Sequence, residues 1–234
     1  MSQNIFSECP RDAWRLGVAK ILEEREIFSL ITTIEDPTKF DSKWLDAHSP
    51  KRRGLDGDEI ADVIKTIFPY TLLSSCADRN ELYDSYLRRH DRAMRFRRNR
   101  ATWGTYFERL IRFPGAQGIN QLETAISKLT TWQTRSTTGL VFHLATPTVD
   151  TPRTRGGPCW HYGEIIWRAD GKLDLVAVYR NHDFMNKALG NFLGLGMLLK
   201  FLASESGLKA GKLICHSVHA YNGGTARALR ALAE

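Results

Sequence analysis

Hydrophobic positions along the chain alternate between a spacing of three to four and a spacing of two. From Pro10 the apolar residues Trp14, Val18, Ile21 and Leu22 recur at helical intervals, predicting a helix from Pro10 to about Phe28 after a loose start over residues 1–9. Leu30–Ile34 is a short apolar run ended by Asp36-Pro37, a strand pattern. Ile60, Val63, Ile64, Ile67 and Phe68 make one face of a second helix, which Asp56 or Asp58 can cap and Pro69 stops. Trp103–Phe113 reads as strand or extended chain. Leu122, Ala125, Ile126 and Leu129 form the buried stripe of a helix from Gln121 to Leu129, and Thr138–Leu144 is a β-branched, apolar strand. A loop with Pro147, Pro152, Gly156 and Gly157 then reaches Pro158-Cys159. Ile165-Ile166-Trp167, a turn at Asp170-Gly171 and Leu173–Tyr179 have the form of a β-hairpin. An apolar helix over Phe192–Ala203 stops at Gly207, and a last strand carries His219 and Tyr221. The pattern is that of an α/β (α+β) domain, a mixed β-sheet with flanking helices.

Composition narrows the class. At 234 residues the chain suits one domain with a substantial core. No apolar run is long enough for a membrane span, and the N-terminus does not read as a signal peptide. Cys9, Cys76, Cys159 and Cys215 are widely spaced with no Cys-x-x-Cys pair, which argues against zinc and against a disulfide framework. A reducing, cytoplasmic setting and no metal are expected. The net charge of +7, with a pI near 9.3, favours anionic partners such as phosphates and nucleotides. Much of that charge sits in residues 81–100, where Arg88, Arg89, Arg92, Arg95, Arg97, Arg98 and Arg100 crowd together. This stretch reads as a solvated helix face, as a phosphate- or dimer-contacting segment, or as a nucleic-acid contact without a recognised module around it.

The candidate chemistry gathers after Gly157. Pro158-Cys159 precedes the hairpin. At its far end stand Tyr179-Arg180-Asn181-His182-Asp183, and Asn191 lies eight residues past Asp183. Then come the apolar helix, the turn Ser206-Gly207-Leu208-Lys209-Ala210-Gly211, and His219-Ala220-Tyr221. In this order the segments resemble thymidylate synthase, a family with Pro-Cys-His, a hairpin, Tyr-x-Arg-Ser-x-Asp, an Asn eight residues beyond that Asp, and a final His-x-Tyr strand. The resemblance extends upstream through Arg135, Asn120-Gln121 and the segment from Tyr106 to Pro114. It thus covers about residues 102–221, making 101–234 the similar core and 1–100 a divergent N-terminal part of the same domain.

The resemblance implies specific roles. Cys159 would add to C6 of a pyrimidine nucleoside 5′-monophosphate, a covalent step that needs a lowered thiol pKa, which nearby arginines can supply; alone, Cys159 reads more readily as a small buried hydrophobe. Asp183 would orient the base or a water. Arg180 and Asn181 would grip the phosphate. Arg135 would reach the other subunit's site across a homodimer, or be a plain surface arginine. Asn191 would read the N3–H and O4 edge of uracil, or else cap the following helix. His219 and Tyr221 would bind the sugar 3′-hydroxyl from one face of their strand. The implied carbon donor is 5,10-methylenetetrahydrofolate, and the implied reaction is methyl or hydroxymethyl transfer to C5, the alternative being a relative that binds a nucleotide as a sensor or partner subunit.

The sequence departs from the family at several points. Asn181 stands for a Ser, Trp160 for the His after the cysteine, Ser136 for the second of two arginines, and Leu189-Gly190 for Pro-Phe. A catalytic Glu has only Glu59 as a candidate. The chain ends at Glu234, where the family continues into a tail that closes over the folate, so closure over the carbon donor is expected to differ.

Overall fold

The computed structural model describes residues 3–39, 60–96, 103–115, 118–132, 134–136, 139–153 and 156–223. Seven strands form one mixed sheet: β1 (Gln3–Ser7), β2 (Glu26–Ile34), β3 (Val141–His143), β4 (Trp160–Trp167), β5 (Lys172–Tyr179), β6 (His182–Asp183) and β7 (Lys209–Tyr221). Their order is β1-β2-β7-β5-β4-β3, with the two-residue β6 added beside β7. β7 is antiparallel to β2 and parallel to both β5 and β6. β5 follows β7 as far as Tyr179↔Ser217; β6 then takes over at His182↔Ala220. Arg180 and Asn181 occupy the break between them.

Eight helices are present among the described residues: α1 (Pro10–Glu24), α2 (Ile60–Ile67), α3 (Tyr70–Leu73), α4 (Arg79–Phe96), α5 (Tyr106–Ile111), α6 (Gln121–Thr131), α7 (Pro147–Asp150) and α8 (Ala188–Glu205). α8 is apolar on all sides and nearly all buried, as such a helix must be. It packs on β5 and β7 and against α1 and α2. Gly190 and Gly194 let α2 approach it closely: a Cβ at Gly190 would lie 2.6 Å from Val63 Cβ, and one at Gly194 3.2 Å from the Ile64 carbonyl oxygen. None of these helices is long and apolar enough to cross a membrane.

The opposite face of the sheet is less covered. Two cross-strand rows, Phe6–Thr33–Ile214–Val176 and Asn4–Ile31–His216–Val178, run across it with half-exposed or exposed side chains. Phe6 is 72% and Phe28 65% exposed.

Three sequence expectations change. The first residues are not a loose start, because Gln3–Ser7 pairs in parallel with β2. The first helix ends at Glu24, where Arg25 turns the chain with φ 69°, and Glu26–Phe28 belong to β2. Trp103–Phe113 is not extended: Thr105 caps α5, its side chain accepting from the Glu108 N–H at 3.1 Å. Thr-x-x-Glu ahead of an apolar run is the start of a capping box, which outweighs the β-propensity of the aromatic residues. The basic stretch is helical through Phe96; Arg97, Arg98, Arg100 and Glu59 lie outside the described residues.

Candidate active site

The peptide of Cys159 is held from both sides. Gly156 (φ 82°) and Gly157 (φ 92°) turn the chain in a conformation other residues avoid, delivering Pro158-Cys159 to the start of β4. On one side, the Pro158 carbonyl accepts from Arg180 Nε at 3.1 Å and from His161 Nε2 at 3.0 Å, and the Gly156 carbonyl from Arg180 Nη2 at 3.0 Å. On the other, the Cys159 and Trp160 N–H groups both donate to the Tyr106 hydroxyl, at 3.1 and 3.2 Å. The Arg180 N–H closes the end of the hairpin on the Cys159 carbonyl at 2.9 Å. A bulge between Trp160 and Tyr162 breaks the β4–β5 register at His161, as an extra residue in one strand does.

Burial pushes the Cys159 thiol up, the Arg180 guanidinium pulls it down, and Asp183 raises it further, with a raised value as the net result. The expectation of a thiol already activated by arginine is therefore corrected: desolvation wins. Burial also raises the Tyr221 hydroxyl, with added contributions from Asp183 and Cys159. Cys159 is thus close enough to Arg180, Asp183 and Tyr221 to interact with each of them. His161 is held below its ordinary value by burial and then by Arg180.

The other expected residues divide into separate groups. Asp183 organises its own loop: Oδ1 accepts from the N–H groups of Met185, Asn186 and Gly223, and Oδ2 from the Asn186 amide. His219 joins Asn181 Oδ1 at 2.7 Å and Glu26 at 2.8 Å, and stacks on Tyr221 at 5.3 Å, so His219 and Tyr221 do share a face. Asn191 is inside α8 rather than at its cap, which is Lys187, and its amide nitrogen lies 3.1 Å from His182 Nε2 in a buried setting. Arg135 is exposed and donates to the Trp167 carbonyl at 3.1 Å, at the opposite end of β4 from Cys159.

Beside Arg180 opens a cleft of about 630 Å³, lined among others by His143, Thr146, Arg153, Pro158 and His161. One wall is fixed by a buried ion pair. Arg109 grips Asp150 at 2.6 and 2.9 Å and also donates to the Leu144 carbonyl at 2.7 Å. Burial alone would raise the Asp150 carboxyl; hydrogen bonds from Arg109 and the Thr146 N–H bring it below its ordinary value. Sequence reasoning assigned no role to Tyr106, Arg109 or His161. Tyr106 and Arg109 act through partners distant along the chain, whereas His161 bonds the Pro158 carbonyl only three residues away; the available signal was their position in or beside the motifs. All four cysteines are free, and among the described residues no group of three or more His, Cys, Asp or Glu is arranged to hold a metal ion.

No family model matches the chain. Over 117 residues it is 31% identical to proteins named "Putative thymidylate synthase" from Methanosarcina barkeri, Methanosarcina acetivorans and Methanosarcina mazei. The match takes in 50% of this chain and 51% of each relative, so the chain spans about half the length of the curated relatives it matches. Similarity of this extent supports a thymidylate-synthase-like relationship.

Proposed function

We propose that the chain is a transferase that adds the Cys159 sulfur to C6 of a uracil-type pyrimidine nucleoside 5′-monophosphate and passes a one-carbon unit to C5. The observation that carries this reading is the geometry around Cys159, where Arg180 bonds the Cys159 and Pro158 carbonyls and Asp183 pairs with Tyr221 at the end of β7, in a chain similar to proteins named putative thymidylate synthase. Pyrimidine C5 is a poor nucleophile. When the sulfur bonds to C6, the ring electrons move through C5 toward O4 and C5 becomes nucleophilic. C5 then takes the new carbon, its hydrogen leaves as a proton, and the sulfur departs. Arg180 and Asn181 would hold the phosphate, His219 and Tyr221 the sugar, and Asn191 the base, while Asp183 orders the loop around the ring.

A folate of the methylenetetrahydrofolate class would bind in the cleft beside Arg180, whose volume is that of a pocket for a drug-sized molecule. Pro158, His143 and His161 line that cleft and would contact it; when bound, it supplies the one-carbon unit. The exposed Phe6 and Phe28 on the less covered face of the sheet suit a second copy of the chain. Arg135, at the far end of β4, is then available to a partner's site rather than its own.

The test is loss of the C5 hydrogen. Protein is incubated with 5-tritiated dUMP, UMP and dCMP, with and without methylenetetrahydrofolate, beside Cys159→Ala. Tritium release that depends on Cys159 and on the folate is the expected result. A second reading, a nucleotide-binding sensor or partner subunit, is favoured by the burial-raised thiol of Cys159. Calorimetric binding of a nucleotide with no release from any substrate would put that reading in place of the transferase.

A further inference from the structure

The chemistry proposed above leaves α4 unused. This helix divides into two faces. On one, Leu82 and Tyr83 are buried, Tyr86 meets Phe107 edge-on at 4.7 Å, and Leu87 packs on the core. Arg79 fixes the start of the helix to Glu123 at 2.8 Å and to Glu205 at 3.0 Å, and Arg112 grips Asp91 at 2.6 and 3.0 Å. On the other face Arg88, Arg92 and Arg95 recur at helical spacing with Arg89 beside them, and all four are exposed. With Ser85 and Asp91 they line an open hollow of about 610 Å³. None of the four stands in an ion pair with another described residue; Arg88 donates to the Ser85 hydroxyl at 2.9 Å. The Asp91 carboxylate in the same hollow is already matched by Arg112, whose hydrogen bond is the main cause of its lowered pKa.

We propose that this face of α4 binds the phosphate backbone of duplex DNA without reading its sequence. Guanidinium groups grip phosphate bidentately, and the cations lining the hollow are all arginine. From Arg88 to Arg95 the stripe is about 10 Å long, and over that length a duplex presents about six phosphates. Because Arg79 and Arg112 tie the helix to the body of the protein, the stripe is rigid before it meets its partner, and little ordering is lost on binding. A lipid surface is a poorer match. A basic helix lies on a membrane by burying an apolar face, and the apolar face of α4 is already spent on Phe107 and the core. A single strand is a poorer match too, since such strands are held by stacking their bases on aromatic rings. Tyr83 and Tyr86 are turned inward, and Phe96, 80% exposed, stands at the end of the helix. Each phosphate neutralised releases counterions, so the affinity falls with salt. The proposal does not depend on the role given to Cys159.

The test is fluorescence anisotropy of a labelled, mixed-sequence duplex of about 20 base pairs, titrated with the protein from about 50 to about 200 mM salt. Three neutralised phosphates contribute about −2.7 to the slope of log affinity against log salt. The variant Arg88→Gln/Arg92→Gln/Arg95→Gln should lose that much slope, so that over this range its affinity falls about fortyfold less than the parent's. Arg88→Lys/Arg92→Lys/Arg95→Lys keeps the charges and should keep most of the slope. Lys200→Gln, which removes an exposed charge from α8, should bind as the parent does. Circular dichroism checks that each variant folds; should the triple glutamine variant unfold, Arg92→Gln alone takes its place, with an expected loss of about 0.9 in slope. The proposal is overturned if the parent does not bind the duplex at the lowest salt, or if the glutamine variant keeps the parent slope. It is overturned as well if an excess of dUMP displaces the duplex, which would place the DNA in the nucleotide site. Tighter binding of a single strand, of polyglutamate or of anionic lipid vesicles through the same arginines would also overturn it.

Discussion

Lowering the pH from 7 to 5 removes about 2 kcal/mol of stability through His182 alone. In the fold the ring is neutral, with a pKa held to about 3 against an ordinary 6.5. The unfolded chain takes up a proton below 6.5 and the folded chain does not. Stability from this group is therefore complete above pH 6.5 and is lost as the pH falls toward 3. Between those limits one proton costs about 1.4 kcal/mol per pH unit. From 6.5 to 5 that amounts to about 2 kcal/mol, and the sum depends little on how far below 5 the folded value lies. Urea unfolding followed by tryptophan fluorescence at both pH values, for the parent and for His182→Gln, isolates the contribution. The variant is expected to start less stable and to lose about 2 kcal/mol less on acidification; other histidines contribute to both proteins and cancel. An identical pH dependence in the two would refute the reasoning.

Other substitutions probe the supports of the site. Arg109→Met leaves Asp150 with only the Thr146 N–H and the more distant Arg153 and should cost about 1–3 kcal/mol in chemical denaturation, much of it recovered when Asp150→Leu is added. Tyr106→Phe strips the acceptor from two N–H groups at Cys159 and Trp160; a loss of about 1–3 kcal/mol per group, with slower tritium release, is expected, and an unchanged release rate would show that the hydroxyl does not position the thiol. Gly196→Ala drives a Cβ into the backbone carbonyl of Pro37 and should lower the urea midpoint by the equivalent of about 1–3 kcal/mol. Because burial lifts the Cys159 thiol above its ordinary 9.0, tritium release should climb about tenfold per pH unit from 7 to 8.5. A plateau already reached at neutral pH would contradict a raised thiol.

The parts of the fold legible in the sequence are those whose signal is local. Asp170-Gly171 between two apolar runs marks the β4–β5 hairpin, Asn120 caps α6 from three residues away, and α8 stands out by its apolar length. The errors have local causes as well. Ile27 and Phe28 fit the helical spacing of α1, but Arg25 adopts a positive φ that no residue type announces. β1 is five residues long and is stabilised by a parallel partner more than twenty residues on, so its own pattern carries little. In the site, the spacing of Cys159, Arg180 and Asp183 was readable. The sense of the Cys159 shift was not, because it depends on how deeply the thiol is buried. The partnership of Asn191 with His182 and Ser217 was hidden too, since it joins residues on different elements through buried contacts.

The position of β7 has a consequence for the order of assembly. It lies between β2 and β5, yet follows both by a long stretch of chain, pairing Ile34 with Leu213 and Tyr179 with Ser217. Until it arrives, the strands formed earliest and the hairpin that carries Cys159 have no direct connection through the sheet. A nascent chain must therefore leave the edge of β2 unpaired from its early synthesis until β7 is made, a condition that slows folding and invites the wrong edge partner. The hairpin already joins Cys159 to Arg180, but Asp183 and Tyr221 come together only when that gap is filled, because Asp183 pairs with Tyr221 of the strand that joins the two halves. Completion of the sheet is therefore also the last step in assembling the site.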